Sequence, residues 1–162
     1  MPATRMQGFT TALTDIDTQA LAGNTGGIQE YLGAIRNDYN STYKYVQFTG
    51  TTAVAVGDYC CYVATDMTCT IVDGANAAIG AGVAMAAHPS GSVTYGWVQT
   101  AGVTTLNNNV GGTTPARGNQ LTNTGASAGS LTKRASATDP VAGVLLDASG
   151  LKIIVLTQAD YF

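Results

Sequence analysis

Apolar and polar residues alternate with a period of two along several short stretches of this chain, the pattern of half-buried β-strands. From Thr42 to Phe48, Tyr43, Tyr45 and Gln47 fall on one face and Lys44, Val46 and Phe48 on the other. From Val93 to Thr100, Tyr95, Trp97 and Gln99 share a face opposite Gly96, Val98 and Thr100. Val83 to Ala87 is apolar and short-chained, and His88-Pro89-Ser90-Gly91 separates it from the Trp97 run with turn chemistry. Two such runs around a Pro/Gly turn predict a pair of antiparallel strands. The stretch Gly80–Gly102 holds the sole Trp and the sole His of the chain.

Further runs follow the same rhythm. Thr51–Val56 closes at Gly57-Asp58, Tyr59–Ala64 and Met67–Val72 follow, and Val103–Leu106 forms a short strand beyond Gly102. Arg36–Ser41 is a loop by composition, Asn107–Pro115 a long exposed loop, and Asn123–Ser130 a low-complexity, flexible tract. Arg117–Leu121 and Leu131–Ala135 are brief candidates for pairing, and Val141–Leu146 and Leu151–Thr157 are clean strands joined by Asp147-Ala148-Ser149-Gly150. Short strands with turn signals every eight to twelve residues predict an all-β chain, an antiparallel β-sandwich or β-barrel-like domain.

Residues 1–30 break the rhythm and read as an extended N-terminal arm ahead of a β-rich domain over 31–162. Thr, Gly, Asp, Gln and Asn dominate there, and Phe9, Leu13 and Ile16 stand at the spacing of one short helical face. These three, with the aromatic pair Tyr161-Phe162, are the candidate partner-binding residues, anchored either on a neighbouring molecule or on the chain's own core. Asp15 and Asp17 invite a calcium-loop reading. A twelve-residue loop counted from Asp15 puts Ala20 and Gly26 where Gly and Glu are required, so the pattern fails.

Composition sharpens the picture. Only 10% of the 162 residues are charged, 20 are Gly, and helix-forming Glu is represented once. A polar, nearly uncharged surface suits a protein buried in an assembly. Net charge is −3, and Lys133-Arg134 is the one adjacent basic pair, which disfavours direct nucleic-acid binding. No apolar run approaches the ~20 residues that a helix needs to cross a bilayer. The first residues lack the basic start and apolar run of a secretory signal, so synthesis in a cytoplasm is expected. Cys60, Cys61 and Cys69 read as small buried hydrophobes, with Cys60 and Cys61 on opposite faces and one of them opposite Cys69 across a hairpin. No spacing suited to zinc is present, and no cofactor is expected.

Catalytic patterns are missing. The sole His lies beside a proline in a turn, no Gly-x-Ser-x-Gly elbow occurs, and Gly80-Ala81-Gly82 leads into a strand-like run in place of a phosphate-binding helix. The expectation is a non-enzymatic protein, with a hydrolase built on His88 and a cysteine or carboxylate as the rival. A Tyr43, Tyr45 and Trp97 platform for a sugar is a second rival. Ordinary packing of those rings, with Trp97 buried, is the expectation against it.

The order of elements resembles the small β-rich decoration (cement, or head-stabilising) proteins of tailed bacteriophages. Tyr43-Lys44-Tyr45-Val46-Gln47 follows the Leu32-Gly33 turn, and Gly82-Val83-Ala84-Met85-Ala86 precedes Tyr95-Gly96-Trp97-Val98-Gln99-Thr100-Ala101-Gly102. A variable Gly- and Thr-rich region then leads to Val141-Ala142-Gly143-Val144-Leu145-Leu146 and the closing Leu151-Lys152-Ile153-Ile154-Val155-Leu156. The resemblance implies a structural protein on the outer surface of the virion that binds the major capsid protein, cements neighbouring capsomers and sits as a homotrimer, with no cofactor, nucleic acid or membrane partner. The alternative is a tail, fibre or baseplate component that binds a host glycan.

Overall fold

The computed structural model describes residues 12–16, 30–63, 67–71, 79–108, 110–111, 115–149 and 151–156. Among them the regular structure is entirely β: β1 (Ile35–Asp38), β2 (Ser41–Phe48), β3 (Tyr59–Tyr62), β4 (Thr68–Ile71), β5 (Gly80–Ala84), β6 (Thr94–Thr105), β7 (Gln120–Thr122), β8 (Thr132–Lys133), β9 (Gly143–Asp147) and β10 (Lys152–Leu156). The all-β, barrel-like expectation is met. Pairing is antiparallel throughout except between β2 and β4, where Gln47 and Phe48 lie parallel to Thr68 and Cys69.

The strands run in the order β1-β2-β4-β3-β5-β6-β10-β9-β7-β8, and β2 also pairs with β6. That extra pairing closes β2, β4, β3, β5 and β6 into a ring, which removes the open edges these strands would otherwise present. Val46, Phe48, Cys60, Tyr62, Cys69, Ala81, Ala84 and Val98, drawn from all five strands, pack together inside it. β10, β9, β7 and β8 form a second layer. Its Leu121, Leu145, Ile153 and Val155 pack with Leu106, Val110 and Leu131 against Tyr59, Cys61 and Val83 on the outer face of the ring.

β6 joins the two units. Along one edge it pairs with β2 from Thr94 to Ala101. Along the other, Val98 and Gln99 pair with β5, and Ala101 to Thr105 pair with β10. The strand changes partner around Gly102, whose φ of 101° lies in the left-handed region and where a Cβ would stand 2.5 Å from the Asn40 carbonyl oxygen. Buried Gln99 spans the change: its Nε2 donates to the carbonyls of Ala101 (3.1 Å) and Val103 (3.2 Å) and to Ser41 Oγ (3.2 Å).

A third cluster covers the outer face of β2 and β6. Tyr43, Tyr45, Tyr95 and Trp97 are buried there beneath Leu13, Ala34 and Met85. Tyr45 and Trp97 are direct cross-strand partners, with ring centroids 5.2 Å apart at 66°. The period-two reading of both strands therefore holds, and both of their faces are covered.

Several expectations need correction. Arg36–Ser41 is no loop: Arg36–Asp38 belong to β1, and Ser41 opens β2 after a tight turn at Tyr39. Thr51–Val56 forms no strand beyond a bridge between Val54 and His88. Val103–Thr105 continue β6. Tyr62, and not a cysteine, lies opposite Cys69, although Cys60 and Cys61 do point to different cores. Asn123 and Ser130, in the tract read as flexible, are buried. Arg36–Asp38 read as loop but are fixed by ladder pairing, and Asn123 by a hydrogen bond to Cys61 sixty-two residues away.

Trp97 fills its site completely. Truncation in Trp97→Ala leaves a large cavity and is expected to cost about 3–5 kcal/mol in denaturant unfolding. A loss below about 1 kcal/mol would contradict the buried cluster.

Candidate functional site

The chemistry-bearing residues fall in three places. The first is the His88 end of the ring. The backbones of His88 and Val54 exchange two hydrogen bonds of 2.8 and 2.9 Å, which draw the segment after β5 inward. The imidazole is buried, stacks on Phe48 with centroids 3.6 Å apart, and shares a 2.9 Å hydrogen bond between Nδ1 and Thr94 Oγ1. Nε2 has no hydrogen-bond partner among the described residues. The space for the ring exists because residue 96 is glycine: a Cβ there would stand 2.7 Å from His88 Cε1. Burial pushes the His88 pKa down to about 4, so the ring is neutral at neutral pH. The expected turn position is thus a core position, and the imidazole is not an exposed base.

The cysteines offer no nucleophile. Burial pushes the Cys61 thiol up to about 12, with the hydrogen bond from Asn123 Nδ2 (3.0 Å) acting in the opposite sense. Burial, then Cys61 and Asp58, holds Cys60 well above its ordinary value. Thiols held neutral in this way are inert.

The second place is Asp58, which sequence reading treated only as the end of a run. Its buried carboxylate accepts the Ala55 N–H at Oδ2 (2.8 Å) and the Nδ2 groups of Asn107 and Asn108 at Oδ1 (3.0 Å each). Gly129 closes over it, since a Cβ there would come within 2.8 Å of Asp58 Cγ, and the Gly129 carbonyl accepts the Tyr59 N–H at 2.9 Å. One carboxylate therefore holds the 55–58 turn, the 107–108 turn and the 129 turn together. A Gly-Asp turn and an Asn pair are visible in the sequence, but nothing local links them.

The third place is the surface beside β1, which ends the strand order. Tyr31, Leu32 and Ile35 are exposed there, and Tyr39 at the hairpin tip is wholly exposed with φ of 50°. Apolar side chains gathered at a sheet end are a candidate contact surface.

Of the candidate partner-binding residues, Phe9, Tyr161 and Phe162 lie outside the described residues. Leu13 packs on the Tyr43, Tyr45, Tyr95 and Trp97 cluster of its own chain, and Ile16 nearby is 40% exposed. The proposed sugar platform is overturned, because Tyr45 and Trp97 have no exposed surface and Tyr43 almost none. Among the described residues no group of His, Cys, Asp and Glu could hold a metal ion, and no helix is long and apolar enough to cross a membrane.

Two predictions follow from this geometry. Asp58→Ala removes the acceptor of three part-buried hydrogen bonds and is expected to cost roughly 1–3 kcal/mol in equilibrium unfolding, with Asp58→Asn costing less. For His88, the unfolded chain takes up a proton near pH 6.5 that the folded chain refuses until about pH 4. Its contribution is therefore complete above pH 6.5 and falls by about 3 kcal/mol as pH drops to 4. Unfolding free energies measured across that window are expected to fall less steeply in His88→Gln; equal slopes would refute the assignment.

No protein-family model matches the chain, and no curated protein is detectably similar to it in sequence. Its fold is similar to the crystal structure of the head fiber gp8.5 N base of bacteriophage phi29, with a TM-score of 0.50 and 13% identity. The match covers 74% of this chain and 95% of that one, so the two share a fold across nearly the whole of the fiber base.

Proposed function

We propose that this chain is a non-enzymatic structural protein of a tailed bacteriophage, seated on the outer surface of the head. The observation that carries the reading is the fold match over 95% of a phage head-fiber base. It agrees with the decoration-protein order of elements in the sequence, reached independently. The scarcity of charge also supports it, because a surface with 10% charged residues costs less to desolvate at an interface. In this reading the partner is the major capsid protein, the working form is a homotrimer, and the role is to cement neighbouring capsomers. The protein is made in the host cytoplasm and joins the virion there. The exposed apolar side chains around β1 supply the contact, and His88, the cysteines and Asp58 serve the fold.

The test is co-sedimentation of the purified protein with assembled heads of its own phage. Saturable binding is expected, weakened roughly tenfold by Ile35→Lys combined with Tyr39→Ser. Failure of the wild-type chain to bind intact heads would sink the reading; undiminished binding by the double variant would move the contact away from β1.

A further inference from the structure

A cleft of about 330 Å³ opens beside β8, lined by Asn119, Gln120, Lys133, Arg134 and Ser136 among others. Its volume lies at the lower end of the range of small-ligand sites. A second cleft of about 380 Å³ shares Lys133 and Arg134 with it and adds Asp139.

The polar groups of the first cleft are arranged in one sense. Asn119 spends its Oδ1 on the Ala116 N–H (2.9 Å), which leaves Nδ2 as its available group. Gln120 spends its Oε1 on Arg134 Nη1 (2.7 Å), which likewise leaves Nε2. Arg134 is held rigidly: Nε donates to the Asp139 carbonyl at 2.8 Å, and Nη2 donates to the Ala137 carbonyl. Two of its five N–H groups remain beyond these bonds. Lys133 is exposed beside it, and no carboxylate lines this cleft. Asp139 lines the neighbouring cleft, and its Oδ2 accepts the Ser136 N–H at 3.1 Å. Lys133 and Arg134 bring two of the chain's seven basic residues to this cleft in a molecule with net charge −3.

The floor beneath them is firm. The Leu145 N–H donates to the Asn119 carbonyl (2.9 Å), the Gly118 N–H to the Leu145 carbonyl (2.7 Å), and the Arg134 N–H to the Gln120 carbonyl (2.9 Å). A preorganised set of donors whose amide oxygens are already engaged is complementary to an anion, and the Asn119 and Gln120 amide nitrogens suit the hydroxyls of a sugar. The Ser136 hydroxyl is spent on Thr138, sharing a bond with its Oγ1 (2.8 Å) and accepting its N–H (3.3 Å).

We infer that this cleft binds an acidic saccharide, with Lys133 and Arg134 receiving its carboxylate or phosphate and the Asn119 and Gln120 amides receiving its hydroxyls. The site is remote in sequence from β1 and stands or falls independently of attachment to a phage head.

The test is a heteronuclear NMR titration of the full chain with three probes: trigalacturonate, glucose 6-phosphate and neutral maltotriose. Saturable shifts confined to residues 118–120 and 133–137 are expected with at least one acidic probe and not with maltotriose, and the responding probe tells carboxylate from phosphate. Lys133→Glu is expected to weaken that binding roughly tenfold while the remaining amide signals stay in place. Arg134 is left intact because it staples the loop. No saturable shift with either acid, an equal response to maltotriose, or unchanged affinity in Lys133→Glu would each overturn the inference.

Discussion

Everything in this molecule hangs on the pairing of β6 with more than one neighbour. Twelve residues long, it closes the ring against β2 and β5, then leaves β5 and joins β10 to carry the second layer. A strand has two edges, so serving three partners requires a change of neighbour along its length. Gly102 supplies the backbone conformation for that change, and the Gln99 amide satisfies the carbonyls turned out of the ladder. Without this change the ring would stand apart from the β10-β9-β7-β8 sheet, which would be left with an open edge at β10.

Charge is scarce, and several of the buried polar residues are tied by more than one contact. Asp58 is satisfied by three donors, Gln99 by three acceptors, and Asn123 by a thiol. These groups do what larger apolar clusters do in richer sequences: they select one arrangement of loops among many of similar hydrophobic content. The tract from 107 to 130 shows the effect. Its composition resembles that of a flexible linker, yet Leu121, Asn123 and Ser130 are buried and the Gly129 turn lies against Asp58.

The same economy bears on function. Among the described residues Tyr43, Tyr45, Phe48, Tyr59, Tyr62, Tyr95 and Trp97, the imidazole and the three thiols are buried, whereas Tyr31 and Tyr39 stay exposed. The outward surface includes the apolar side chains along β1 and a donor-rich cleft at β8. A stable scaffold of this kind suits the structural role proposed above.

The sequence by itself determined the class and the local geometry. Alternation along β2 and β6 assigned Tyr45 and Trp97 to one face and Val46, Phe48 and Val98 to another, because side chains on a strand must alternate. Turn residues marked where strands end, and the lack of nucleophile–base patterns argued against catalysis. Only the tertiary structure decided which strands meet. Ring closure through β2–β6, the partner change at Gly102, the burial of His88 and the gathering of Asn107, Asn108 and Gly129 around Asp58 all depend on residues dozens of positions apart. Periodicity is a property of neighbours in the chain, whereas register and closure are properties of neighbours in space. A histidine beside a proline therefore reads as a turn until Phe48 and Thr94 are seen to enclose it, and a cleft at β8 exists only once residues 118–120 and 133–137 are brought side by side.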